Sequence, residues 1–171
     1  MKVKNITAVS AMCALVVLGA CATRPANLAP NVEVATDSFS GKFDVAVSGS
    51  KERIVKNADI ESAVKSAITD AKLFSGDAAT SYDVAVQVLS IENPLAGVDL
   101  TSSVRAKWTL KKRGDGATSW TESITSSETA KFSESIIAAQ RLRLANERAI
   151  SANIELGVKW LADVAKNPSE E

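Results

Sequence analysis

The apolar residues of this chain change period along its length, and that change limits the folds open to it. "FSGKFDVAVSG", residues 39–49, alternates, with Phe39, Phe43, Val45 and Val47 on one side and Ser40, Lys42, Asp44 and Ser48 on the other. This is the period of a strand with one buried face. "NADIESAVKSAITDAKLF", residues 57–74, then places Ile60, Ala63, Val64, Ala67, Ile68 and Ala71 on a single helical stripe, with Asn57 read as its N-cap and Gly76 just past its end. Alternation returns in "YDVAVQVLSI" through Tyr82, Val84, Val86 and Val88, and in "LTSSVRAKWTL" through Leu100, Val104, Ala106, Trp108 and Leu110. "RGDGA", residues 113–117, is a hairpin turn leading into "TSWTESITS", where Trp120 and Ile124 face inward. Lys131 to Lys166 contains no proline and reads as one long helix, striped by Leu142, Ala145, Ala149, Ile150, Asn153, Gly157, Trp160, Leu161 and Val164.

The order is therefore β-α-β-β-β-α. A helix between the first two strands allows a parallel pair with a right-handed crossover, and the remaining strands form an antiparallel meander. The expected fold is α+β: a two-layer sandwich with a four-stranded mixed sheet and two helices on one face. Ala145, Ala149 and Gly157 keep the last helix thin enough to lie close to the sheet. Aromatic residues make up only 5% of the 171 residues, so the core is built from Val, Ile, Leu and Ala. The length suits one domain, taken as residues 39–166, with 167–171 as a tail. The second face of the sheet is left for solvent, ligand or partner.

The N-terminus carries a different signal. Lys2 and Lys4 precede an apolar run from Ile6 to Val17, which "LGAC", residues 18–21, brings to an end. Charged, apolar and small-residue regions in that order describe a secretory leader, and the run is too short to span a bilayer. A cysteine at the cleavage point makes "LGAC" resemble a bacterial lipobox, which implies a signal peptide over residues 1–20 and a lipid attached to Cys21. At about 0.8 kcal/mol per buried CH₂, two or three acyl chains anchor a protein firmly where one does not. Cys13 leaves with the leader. Residues 21–38 then read as the lipidated cysteine and a flexible tether, with two prolines and no periodicity before Val32. Fully extended, that tether reaches about 50 to 60 Å. Ala22, in place of an aspartate after the lipid cysteine, implies the outer membrane, with the domain facing the periplasm.

The lipobox, the tether and the order of elements together resemble the small lipoprotein that sits inside the lipopolysaccharide-assembly barrel. The strand-helix opening is similar to the N-terminal domain of the periplasmic Tol protein. The resemblance implies an accessory role in the outer membrane and brings no signature residue beyond Cys21.

Composition closes off most chemistry. The chain has no histidine, and its mature cysteine is expected to be acylated, so neither a Ser-His or Cys-His pair nor a conventional zinc site can be built. "SAVK" matches a Ser-x-x-Lys pattern at Ser62 and Lys65, but the companion Ser-Asp-Asn and Lys-Thr-Gly motifs are missing and both residues fall on the polar side of the first helix. Gly41 and Gly49 form no phosphate loop, the acidic residues lack ligand spacing, and no cofactor or metal is implied. The chain carries 20 basic and 20 acidic residues. Losing Lys2 and Lys4 with the leader leaves it slightly acidic, unlike a nucleic-acid binder.

Three features remain for function. The outward positions of the last hairpin set Thr101, Ser103, Arg105, Lys107, Thr109, Lys111 and Arg113 against Ser119, Thr121, Ser123 and Thr125. Among these, Arg105, Lys107, Lys111, Thr121 and Ser123 form a candidate partner face, where hydroxyls and cations could hold the sugar or phosphate groups of a glycolipid; the alternative is a solvated sheet face. "ENPLAGVDL", residues 92–100, places Leu95 and Val98 beside Leu89 and Ile91, both read as outward, and suggests a partner or membrane contact or a cap over the core. Asn146 and Asn153, seven residues apart, could bind a polar ligand or satisfy neighbours, and Arg141, Arg143 and Arg148 read as a solvated face. The function expected is a non-catalytic, lipid-anchored envelope protein that binds or stabilises an outer-membrane protein or glycolipid. The alternative is a small envelope enzyme using Ser, Lys or carboxylate groups.

Overall fold

The computed structural model describes residues 28–34, 39–50, 55–76, 79–94, 96–114 and 118–167. In chain order these form β1 (Lys42–Ser48), α1 (Asn57–Asp70), β2 (Ser81–Glu92), β3 (Leu100–Lys112), β4 (Ser119–Ala130), a 3₁₀ turn (Phe132–Glu134) and α2 (Ala138–Lys166). The sheet runs β1-β2-β3-β4, with β1 parallel to β2 and the other pairs antiparallel. The α+β sandwich expected from the periodicity is the fold found. Inner-face residues of β2 and β3, among them Val84, Val86, Val104 and Leu110, share one core with Ile60, Val64 and Ile68 of α1 and Ile150, Ile154 and Leu161 of α2.

One side chain fixes how α2 lies on the sheet. Trp108 of β3 is fully buried, and its Nε1 donates to Asn153 Oδ1 of α2 at 3.0 Å. Asn153 Nδ2 in turn donates to the carbonyl of Ile124 on β4 at 3.0 Å. The indole lies over Gly157, where a Cβ would sit 2.3 Å from Trp108 Cε2; only a residue without a side chain lets the ring in. Ser126 Oγ of β4 adds a 2.7 Å bond to the Ala149 carbonyl. Ala145, Ala149 and Gly157 are all buried, as their small size required. Asn153 is therefore structural: it satisfies the one polar atom of a buried tryptophan and ties two strands to a helix.

The structure corrects several boundaries. β2 carries a bulge between Val88 and Ser90, which inserts an extra residue and flips the alternation. Leu89 points outward as expected, but Ile91 is buried. Lys131–Ile137 is not helical: β4 continues to Ala130, and the chain turns through Phe132–Glu134 before α2 begins. There the Lys131 N–H donates to Glu134 Oε2 at 2.8 Å and the Phe132 N–H to Asp99 Oδ1 at 2.8 Å. α1 is preceded by Lys56, and Asn57 instead accepts from the Ser50 N–H at 3.0 Å. The left-handed residue closing α1 is Lys72, with φ of 54°, and not Gly76. Its N–H bonds to the Thr69 carbonyl while the next N–H reaches Ile68, the double closure usually given to glycine. Leu28 and Val32, within the segment read as tether, are buried in the core.

Packing at Gly157 yields a stability prediction. Gly157→Ala gains up to about 1 kcal/mol in helix propensity but drives a methyl into the indole, and overpacking costs about 1–3 kcal/mol; a net loss in urea unfolding is expected. Asn153→Leu, which strands the Trp108 N–H, is expected to cost about 1–3 kcal/mol. Unchanged urea midpoints for both variants would contradict the packing described.

Candidate functional site

Among the described residues no layer covers the outer face of the sheet. On it β3 and β4 set Thr101 opposite Thr129, Ser103 opposite Ser127, Arg105 opposite Thr125, Lys107 opposite Ser123, Thr109 opposite Thr121 and Lys111 opposite Ser119. Three of these pairs satisfy one another, with hydroxyl contacts of 2.8 Å for Thr101 and Thr129, 2.6 Å for Ser103 and Ser127, and 3.4 Å for Thr109 and Thr121. Arg105, Lys107, Lys111, Thr121 and Ser123 are brought together on this face, and all five are exposed.

The cations of the face divide into two kinds. Arg113, just beyond β3, donates from Nε to Asp83 at 2.9 Å and from Nη2 to Asp44 at 2.8 Å, with a second bond to Asp83. It clamps β1 and β2 together. The hydrogen bond from Arg113 holds the Asp83 carboxyl below the usual range and raises the guanidinium itself. Arg105, Lys107 and Lys111, by contrast, enter no ion pair among the described residues. Sequence alone did not separate them from Arg113, because the partners Asp44 and Asp83 lie on strands far away in the chain.

The other candidates fall elsewhere. Ser62 and Lys65 are exposed on the solvent side of α1, with no hydrogen bond between them. Arg141 is not solvated: it is 4% exposed, lies over the Phe132 ring at 5.0 Å and donates to the Ser135 carbonyl. Arg148 pairs with Glu134 through two bonds, and Arg143 approaches Glu147 at 3.6 Å. Asn146 is buried, its amide donating to the Leu142 carbonyl at 2.9 Å while Oδ1 has no partner. Cys21 and Leu95 lie outside the described residues.

Two further surfaces stand out, of which the sequence pointed only to Val98. Val98 is exposed, and so are Phe132, Ile136 and Ile137 in the turn before α2; they share one end of the molecule with a groove of about 370 Å³ lined by Pro94, Leu100, Ala139 and Leu142. Along the edge of β4, α2 leaves two open grooves. One, of about 560 Å³, is lined by Trp120, Glu122, Trp160 and Asp163. The other, of about 440 Å³, is lined by Glu128, Leu144, Arg148 and Glu155. Such sites arise from two elements side by side, which no single-segment periodicity displays. Among the described residues no helix is long and apolar enough to cross a membrane, and no acidic side chains gather as a metal site.

No family model matches the sequence, and no curated protein matches it. Solved structures do resemble the fold. A Xanthomonas campestris protein of the DUF330 family is similar with a TM-score of 0.56 at 14% identity, over 84% of this chain and 96% of that one. A minor lipoprotein from Acinetobacter baumannii is more loosely similar, with a TM-score of 0.41 at 12% identity, over 77% of this chain and 95% of that one. At such identities the first likeness is one of fold alone.

The ion pairs near α2 predict an acid response. Arg148, with help from the Lys131 N–H, lowers Glu134 from 4.5 to about 2. A depressed carboxylate contributes stability above its unfolded value that is lost as pH falls through its folded one. The thermal unfolding midpoint is thus expected to fall as pH drops from 4.5 to about 2, and less steeply in Glu134→Gln. Equal slopes in the two proteins at constant ionic strength would refute the pairing.

Proposed function

We propose that this chain is a non-catalytic lipoprotein of the outer membrane, acylated at Cys21, whose domain faces the periplasm and binds the phosphate groups of an envelope glycolipid on the outer face of its sheet. The observation that carries the reading is the set Arg105, Lys107 and Lys111: exposed, without ion pairs among the described residues, and framed by hydroxyls that satisfy one another across β3 and β4. Successive outward residues on a strand stand roughly 7 Å apart. Arg105 and Lys107 therefore stand as neighbouring cations on one strand, with Lys111 a third further along it. The neutral hydroxyl pairs leave Arg105 and Lys107 without a carboxylate partner among the described residues, whereas Lys111 stands opposite Asp83 and acts on its carboxyl. The enzyme alternative finds less support, since Ser62 and Lys65 stand apart from every groove described above.

Two outcomes follow. Wild-type protein is expected to take up a fatty-acid analogue and fractionate with the outer membrane, and Cys21→Ser to take up none; an unlabelled wild type refutes the anchor. Full-length protein is expected to bind vesicles containing lipopolysaccharide about tenfold more tightly than the double variant Arg105→Glu, Lys107→Glu, with the gap closing as salt rises, because exposed charges are individually weak and screened. The Ser62→Ala, Lys65→Ala variant should bind as wild type does. If charge reversal leaves binding unchanged in protein shown to be folded by circular dichroism, the outer face is merely solvated.

A further inference from the structure

The edge of β4 presents a second binding surface, independent of the outer face. The Lys112 N–H donates to the Thr118 carbonyl at 2.9 Å, which makes residues 112 and 118 a hydrogen-bonded pair. Antiparallel alternation then aims the backbone groups of Trp120, Glu122, Ile124, Ser126 and Glu128 at β3, and those of Ser119, Thr121, Ser123, Thr125 and Ser127 away from it. β4 is the last strand of the sheet. Arg148 reaches one edge group, the Thr129 carbonyl, at 3.3 Å, and the rest of the row has no strand beside it among the described residues.

Sheet edges are normally blunted by proline, lysine, a bulge or short length. β4 has none of these: it is 12 residues long, contains neither proline nor lysine, and pairs with β3 without a register shift; the charges it carries are Glu122 and Glu128, on the side facing α2. α2 runs alongside and makes a trough of the edge, with the two grooves described above as separate openings toward its ends that share no lining residue. The wall and floor of this trough are acidic. Glu122 and Glu128 come from β4, Glu155 and Asp163 from α2. Of the nearby cations, Lys159 pairs with Glu155, Lys166 approaches Asp163, and Arg148, held by Glu134, also acts on Glu128, so that of these four carboxylates Glu122 is the one left without a cation among the described residues. Trp120 and Trp160 line the wider end, where ring faces suit the stems and heads of cationic side chains.

We propose that this trough docks an extended, lysine- or arginine-rich segment of a partner protein, which joins β4 as a fifth strand. Backbone bonds to the free edge would supply register, and alternate side chains of the added strand would enter the acidic trough. A second copy of this chain fits less well: antiparallel pairing of two β4 strands about Thr125 sets Glu122 against the partner's Glu128, and like charges directly opposite are unfavourable.

The probe is a labelled eight-residue peptide alternating lysine and threonine, titrated into full-length protein and followed by fluorescence anisotropy. Replacing its lysines by glutamate, or N-methylating the amides on one side, is expected to weaken binding at least tenfold. Thr125→Pro is expected to abolish binding yet retain the fold, because the Thr125 N–H points away from β3 and proline is tolerated on that side of an edge strand. Should that variant fail to fold, Glu122→Lys carries the test, with a loss of at least tenfold expected. The Arg105→Glu, Lys107→Glu variant should bind the peptide undiminished, which separates this site from the outer face. The proposal is overturned if no peptide binds, if N-methylation costs nothing, if folded Thr125→Pro or Glu122→Lys binds as wild type, or if sedimentation shows a dimer that Thr125→Pro abolishes.

Discussion

The contact of Trp108 with Asn153 and Gly157 sets the rest of the molecule in place. A buried indole N–H must be satisfied, and here the acceptor is a helix side chain whose own amide reaches a strand carbonyl 3.0 Å away. The bond therefore fixes the height and rotation of α2 over β3 and β4 at once, and the missing Cβ at Gly157 lets the ring and the helix backbone meet. Nonspecific packing of Ile, Val and Leu could hold a helix on this sheet in several registers; one satisfied polar network selects a single register. Because both helices are spent on the inner face, the outer face and the β4 edge have no cover of their own among the described residues.

The two open surfaces differ in sign. On the outer face Arg105, Lys107 and Lys111 stand among hydroxyl pairs, whereas the trough beside β4 collects Glu122, Glu128, Glu155 and Asp163. A chain with 20 basic and 20 acidic residues is in this way locally polarised while formally neutral. Exposed ion pairs contribute little to stability, typically about 0–1 kcal/mol, so the unpaired cations of the outer face cost the fold almost nothing. Arg113 differs: bonded to Asp44 and Asp83, it joins the ends of two strands that the chain itself connects only through α1.

Much of this architecture was legible in the sequence because both helices and all four strands have one buried side. Ile60, Ala63, Val64, Ala67 and Ile68 are all buried, as their spacing required, and the outward positions of β3 and β4 followed from their alternation. What escaped had causes outside the local pattern. Ile91 is buried because a bulge at Leu89 resets the alternation, and nothing in "VLSIEN" marks an extra residue. The Lys131–Ile137 segment lacks any helix breaker, yet bonds from Asp99 and Glu134 hold it as a turn. Lys72 takes a left-handed position that glycine would fill at less cost. Asn153 read more readily as satisfying a neighbour than as holding a ligand, but which neighbour, Trp108 on β3, depends on packing that the local pattern does not display, and the trough exists only because α2 lies along β4.

The central claim is that α2, pinned by Trp108 on the inner face, leaves the edge of β4 unpaired. Residue-resolved amide hydrogen exchange of the full-length protein, followed by NMR, tests it most directly. Alternating protection is expected along β4: slow exchange at Glu122, Ile124 and Ser126, whose N–H groups face β3, and fast exchange at Thr121, Ser123, Thr125 and Ser127, with the Trp108 indole N–H among the slowest. Uniformly slow exchange through residues 121–127, or a rapidly exchanging Trp108 indole, would contradict the account.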